Sequence, residues 1–377
     1  MMNDEFSILH FQFSHFQFSI FNSQFSILNS QFSILNFQFS IPHSCKRRVW
    51  IHHESRERMK RNTQTIRVFA PATVANVSCG FDVFGFAVHD PGDEVLLTLR
   101  DTPGVKILSI HGDKGLLPID PEKNTAGIAA QAFLNAYAPD AGVDIELFKG
   151  LPIGSGLGSS AASAAAVLFG LNRLLGHPAD GKALLEFGLQ SEKSACGSAH
   201  GDNVIPSLLG GFVLIRSYHP LDIRHLPVPE DLYCSLVFPQ VKIETRKARE
   251  LIPKSIPLET AVRQWGNTAG LAAGLCLSDY DLIASSMEDL IAEPVRAALI
   301  PQYYLVTQSA QDAGALGWGI SGSGPTVFAF SKGQKTAQKV REAMSAVYEK
   351  SHVIYQSWVS TINLEGPRIV KQGSQKV

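Results

Sequence analysis

The chain has 377 residues, 45% of them hydrophobic and 18% charged, and a formal net charge of −1. That length suggests about two domains, and that composition describes an ordinary globular chain with ample apolar material for its cores. The near-neutral balance excludes a field built for nucleic acid or an anionic membrane, so an anionic substrate has to be held by local groups.

The first 58 residues do not belong with the rest. "SQFSILN" occurs twice in tandem, at 23–29 and 30–36, ten of the 22 Phe precede residue 40, and no Lys or Arg appears before Lys46. Ser, Gln and Asn interrupt every apolar run, which argues against a signal peptide or a membrane helix, and the lack of Arg argues against a basic transit peptide. The segment reads as repetitive DNA translated from a start assigned too early, with Met59 as the true start. The five cysteines, Cys45, Cys79, Cys196, Cys234 and Cys276, are odd in number and far apart. They read as reduced thiols of a cytoplasmic protein, with Cys79 and Cys196 as small buried hydrophobes.

From Ile66 onward strands and helices mix. "IRVFAPATVANVSCGFDVFGFAV" predicts a strand, a polar loop and a second apolar run, and "DEVLLTLR" and "VKILSI" alternate as strands do. Residues 124–137 have helical apolar spacing, opening on Asn124 and Thr125, and "VDIELF" is a strand that feeds "GLPIGSGLGSSAASAAA" at 150–166. A helix is expected from Ser159 to about Leu175 and another from about Ala179 to Lys193. The loop "ACGSAHGDN" and the strand "GGFVLIRS" follow. The Pro- and charge-rich "YHPLDIRHLPVPE" marks a domain boundary. Beyond it come the strand "YCSLVFP", helices across roughly 245–313, the glycine-rich "GWGISGSGPTVFAF", a helix near 334–349 and the strand "HVIYQSWV". This second half has an α+β character.

The glycine loop admits several readings. A Walker A loop is excluded, because no lysine follows the last glycine before Lys182. Gly156, Gly158 and Ala161 satisfy a relaxed dinucleotide fingerprint, but the acidic residue that should end the next strand is missing. A glycine turn into a tightly packed helix explains the alanines and leaves the paired serines unexplained. A glycine-lined helix N-terminus attracts phosphate oxygens, and serine hydroxyls there add hydrogen bonds or ligate magnesium.

"PIGSGLGSSAAS" resembles the ATP loop of the GHMP kinases, and "APATVANVSCGFDVFG" and "GISGSGPTVFAF" resemble two further motifs of that family in the same order. Within it, "SAHGDNVIPSLLGGF", "TRKARELIP" and "EPVRAALIP" look like the homoserine kinase branch, and the resemblance spans about residues 66–360. It implies an α+β two-domain GHMP kinase fold, with an N-terminal domain (59–217) containing a left-handed βαβ unit and a ferredoxin-like C-terminal domain (218–377).

ATP is expected along Pro152, Ile153, Gly154, Ser155, Gly156, Leu157, Gly158, Ser159, Ser160, Ala161 and Ala162. Mg²⁺ is expected on Ser160 and Glu192, since a hard cation bridging phosphates takes oxygen ligands. For the acceptor, the resemblance implies that Arg249 and Arg296, helped by Thr245, hold the α-carboxylate of L-homoserine, for which the planar guanidinium is suited. Asn76 and Asp82 would meet its ammonium, and His200 and Asn203 its hydroxyl.

Asp202 is the one carboxylate in that loop able to act as a base. On an extended strand it would point away from Asn203, which favours transfer without a dedicated base. The second glycine loop, Ser321 to Gly324, would close against the phosphate region, or would serve only as a turn between strands. The activity implied is transfer of the ATP γ-phosphate to homoserine in threonine biosynthesis. Another small-molecule GHMP kinase, such as one acting on mevalonate, and a non-catalytic binding protein of the same fold are the alternatives. Neither nucleic acid nor membrane is expected as a partner, and a homodimer is compatible with the sequence.

Overall fold

The structure, a computed structural model, describes residues 64–196 and 201–373. The repeat at 1–58, Met59 and His200 lie outside the described residues. Lys60–Val377 forms one compact unit, and its strands make two sheets.

The first sheet is built on β1 (Thr65–Ala75) and β2 (Phe84–Arg100), which pair antiparallel. β3 (Gly104–His111), helix α1 (Thr125–Tyr137) and β4 (Gly142–Phe148) follow, and β3 and β4 pair parallel to close a βαβ unit. Asn124 caps α1 by accepting the Ala126 N–H through its side chain, as an Asn at that position does. The sheet order is β11-β1-β2-β4-β3, where β11 is Arg368–Gly373. A hairpin of β5 (Phe212–Tyr218) and β6 (Leu221–Leu226) joins the front of β2. The expected boundary at 217/218 therefore runs through this hairpin, and β11 brings the end of the chain back to the first sheet.

Helix α2 (Ser159–Leu174) lies on this sheet, with Ala161, Ala162, Ala164, Ala165 and Ala166 fully buried. A Cβ added to Gly170 would come within 2.5 Å of Leu97 on β2, so small residues set how closely the helix approaches. Helix α3 (Gly181–Cys196) and helix α4 (Gly201–Leu209) pack beside it. α4 corrects the expectation of a loop through residue 203 and runs on to Leu209. The glycine and proline of "GDNVIPSLL" disguise a helix that buries Val204, Ile205 and Leu208.

The second sheet contains β7 (Leu232–Pro239), β8 (Gly317–Ile320), β9 (Val327–Lys332) and β10 (Tyr355–Thr361), in the order β10-β7-β9-β8 and antiparallel throughout. The expected helical stretch resolves into α5 (Thr245–Glu250), α6 (Leu258–Leu277), α7 (Tyr280–Ser286), α8 (Glu293–Arg296) and α9 (Tyr303–Asp312), and α10 (Gln334–Lys350) follows β9. With helices between β7 and β8 and between β9 and β10, this is the ferredoxin-like βαββαβ arrangement. Phe86 on β2 lies 5.3 Å from Phe330 and 6.2 Å from Phe328 on β9, measured between ring centroids, so one aromatic core joins the sheets.

Candidate active site

A cavity of about 300 Å³ opens where the two sheets meet, lined by the glycine loop, the turn after β1, the starts of α2, α4 and α5, and the β8–β9 turn. On one side lies the glycine loop. Gly154, Gly156 and Gly158 all have positive φ, at 72°, 80° and 67°, a region costly for other residues. Gly158 is the cap of α2 and offers no side-chain hydrogen bond, which leaves the first N–H groups of that helix free for an acceptor. At two of these glycines a side chain would also collide: a Cβ at Gly158 would meet Thr73 Oγ1 at 2.1 Å, and one at Gly156 the Ser321 carbonyl at 2.5 Å.

The second glycine loop is both things expected of it. It is the turn between β8 and β9, and it grips the first loop. Ser321 Oγ donates to the Gly156 carbonyl (2.7 Å), Thr326 donates through both N–H and hydroxyl to the Ser155 carbonyl (3.2 and 2.6 Å), and Gly322 and Ser323 line the cavity.

Ile153, Gly154, Ser155, Gly156, Gly158, Ser159 and Ser160 line the cavity. Leu157, Ala161 and Ala162 do not: their side chains are fully buried in the core beneath. Pro152 also stays off the wall; its carbonyl accepts the Ser155 N–H at 3.2 Å and so turns the loop. The paired serines differ. Ser159 Oγ turns inward to Asp93 (3.4 Å), while the Ser160 hydroxyl makes no hydrogen bond among the described residues. Glu192 on α3 is buried, at 4% exposure, and reaches the same cavity. Ser160 and Glu192 both line the cavity and offer hydroxyl and carboxylate oxygens, a donor set that fits Mg²⁺ shared with phosphates and water.

The opposite side carries charge on side chains. Asn76, Val77 and Ser78 have consecutive positive φ values of 70°, 46° and 58°, and Asp82 has 59°. Such conformations cost about 1–3 kcal/mol each and gather at functional sites. The turn is braced from within, because Asn76 accepts the Asp82 N–H (3.0 Å) and donates to the Gly322 carbonyl (2.8 Å). Asn76 lines the cavity, yet its amide is chiefly a clamp between the two loops.

Arg249 on α5 forms a two-pronged pair with Asp82, at 3.1 and 2.5 Å, and this bond raises its already high pKa. The two residues expected to hold opposite ends of a substrate therefore hold each other. Arg296 is different. It is 4% exposed, donates Nε to the Ala248 carbonyl (3.3 Å) and Nη1 to that of Gly322 (2.9 Å), and has no carboxylate in salt-bridge range among the described residues. Both guanidinium groups lie over the Phe81 ring, at 5.4 and 5.2 Å. Thr245, at the start of α5, meets Ser323 across the cavity mouth (3.2 Å between hydroxyls).

Between the halves sit Asp202 and Asn203. Because α4 is a helix, consecutive residues are about 100° apart rather than opposed, and both line the cavity. The separation expected of a strand does not hold. Asn203 Oδ1 accepts from the Thr73 hydroxyl (2.8 Å), which turns its amide NH₂ the other way. Burial, and then the charge of Asp82, push the Asp202 carboxyl up to about 7. Sequence reasoning missed Phe81, Thr73, Asp93 and Lys149. Phe81 sits inside "GFDVFG" and Lys149 just ahead of the glycine loop, so adjacency to a motif was the available signal.

The GHMP kinases N terminal domain is matched over residues 124–211 and the GHMP kinases C terminal domain over 271–350. A homoserine kinase of Chlorobium phaeobacteroides is 49% identical over 319 residues, covering 81% of this chain and all of that protein. One from Chlorobaculum tepidum is 49% identical over 323 residues, covering 82% and 100%. The crystal structure of homoserine kinase from Cytophaga hutchinsonii superposes with a TM-score of 0.80 at 53% identity, covering 81% of this chain and 98% of that one. With a cavity that joins a phosphate-type loop to a paired and an unpaired arginine, and relatives matched end to end, the chain belongs to the homoserine kinases of the GHMP kinase family.

Proposed function

We propose that the homoserine kinase reaction runs in this cavity, with the phosphates of ATP on the α2 N-terminus and L-homoserine across from them, giving O-phospho-L-homoserine for threonine biosynthesis. The observation that carries this reading is Arg296, a buried guanidinium whose acceptors among the described residues are two backbone carbonyls. A buried charge needs a counter-charge, and the α-carboxylate supplies it. The Asp82–Arg249 pair then docks the zwitterion head to tail, ammonium toward Asp82 and carboxylate toward the arginines. Leu117 and Pro118, which also line the cavity, offer apolar surface for the adenine ring.

Ser160 and Glu192 would hold Mg²⁺, which neutralises charge on the phosphates. The chain's own contribution is to orient the reactants. With its oxygen tied to Thr73, Asn203 presents N–H to the substrate hydroxyl and leaves an oxygen lone pair free for in-line attack on the γ-phosphorus. Loose phosphoryl transfer needs little early proton removal, so orientation and charge stabilisation suffice. The cytoplasm suits the free Cys79 and Cys234 thiols, both buried, and among the described residues no helix is long and apolar enough to cross a membrane. ADP release measured side by side with homoserine, mevalonate and galactose tests the assignment. Turnover with homoserine alone is expected, and comparable turnover with mevalonate overturns the head-group reading.

A further inference from the structure

We propose that Asp93, which lies outside every glycine motif, is the positioning residue of the phosphate site, fastening both ends of the glycine loop with one carboxylate. Asp93 is on β2 and completely buried. Its Oδ1 accepts the N–H of Leu151, where the loop begins (3.0 Å). Its Oδ2 accepts the Lys149 ammonium and the hydroxyls of Ser159 (3.4 Å) and Ser163 (3.3 Å), in the first and second turns of α2. Lys149 extends the same knot to the Ser159 carbonyl (3.0 Å) and Ser163 Oγ (2.7 Å).

Residues 152–158 are thus suspended between two points held by one group. The stretch contains three glycines and has little stiffness of its own, so its shape has to come from outside. The β8–β9 turn holds its middle and Asp93 its ends. A buried ion pair is weak evidence for stability, because apolar residues of the same volume often serve as well. An apolar pair could not hold an N–H and two hydroxyls at once. Asp93 also turns Ser159 inward, which leaves Ser160 as the hydroxyl presented to the cavity. Fixed groups of this kind fix the donors above them.

The inference rests on the placement of phosphates over this loop, and the experiment separates the two. ADP and adenosine binding are measured by calorimetry, with KM for homoserine, on Asp93→Asn/Lys149→Met, which removes the pair without stranding a charge. ADP should weaken by at least about tenfold, the scale of a charge-assisted hydrogen bond, while adenosine and homoserine change less than about twofold. A merely structural role would lower the unfolding temperature and leave the ADP-to-adenosine ratio unmoved, and that result overturns the proposal. Ser159→Ala/Ser163→Ala, which keeps the ion pair, should show the same pattern at about threefold. If the first variant does not fold, an unchanged ratio in the second overturns the proposal on its own. Ser160→Asp puts a negative charge in the loop and tests the placement of the phosphates. If it spares ADP, the placement itself is wrong; if it weakens ADP while the Asp93 variants do not, only Asp93's role fails.

Discussion

The two halves of the cavity recognise charge by opposite means. On the phosphate half, side-chain charges next to the loop are spent on one another: Lys149 and Asp93 pair in the interior, at 2% and 0% side-chain exposure. The loop itself offers the cavity backbone N–H and hydroxyl groups, and Glu192, Lys123 and Lys149 stand around it. On the acceptor half the backbone is strained and braced, and side-chain charges face the cavity. Backbone donors suit a phosphate chain, which is the same in every nucleotide. A zwitterion differs from other acceptors by its charges, and side chains of both signs can read them.

The contrast is open to attack, first through the residue with the largest expected effect. Glu192→Gln should lower kcat by about 10²-fold or more, at least about 2.7 kcal/mol, by removing a charged ligand from the phosphate half. Steady-state assays across Mg²⁺ concentrations check this, and near-normal turnover would remove Glu192 from the site.

Asp202 lies between the halves and sharpens the comparison through pH. Its folded pKa of about 7 stands above the usual carboxylate value near 4. The folded chain therefore binds the proton more tightly than the unfolded chain. That stabilisation is complete below about pH 4 and is lost as pH rises through 7. Asp202→Asn, neutral and nearly isosteric, should be more stable than the parent at pH 8, by up to about 4 kcal/mol, with the gap closing below pH 4. Thermal unfolding across pH reads it. Turnover should stay within about tenfold; a loss of 10²–10⁴-fold would make Asp202 a general base. The smallest effect belongs to Phe81, whose ring lies under both arginines. Phe81→Leu should raise KM for homoserine about two- to fivefold, the worth of a weak cation–π contact, and leave ADP affinity unchanged.

The two halves also differed in how much the sequence revealed. The phosphate half is local: a strand, three glycines, two serines and a helix start occupy one stretch, so its chemistry follows from residue order. Glu192 and the β8–β9 turn needed the family resemblance. The acceptor half gathers Asp82, Arg249, Arg296 and Gly322 from four distant segments, and no spacing rule joins them. Resemblance supplied the residues, but not that Asp82 and Arg249 pair directly. Helix α4 is hidden in the sequence because it holds both a glycine and a proline, Gly201 and Pro206, and a loop expected there sets Asp202 and Asn203 on opposite faces. Strand β11 carries too little apolar pattern to stand out; its place comes from pairing with β1, a long-range contact. Nothing in the sequence singles out Asp93, because its partners lie 56 to 70 residues away.

The division of labour is tested most directly at Arg296. In Arg296→Ala, kcat/KM for L-homoserine and the Kd for ADP are measured on the same preparation. The account predicts a loss of roughly 10- to 150-fold for homoserine, the worth of one charge-assisted hydrogen bond of about 1.5–3 kcal/mol, with ADP affinity changed less than about twofold. A variant that binds ADP weakly and uses homoserine normally would put Arg296 on the phosphate half and contradict the account.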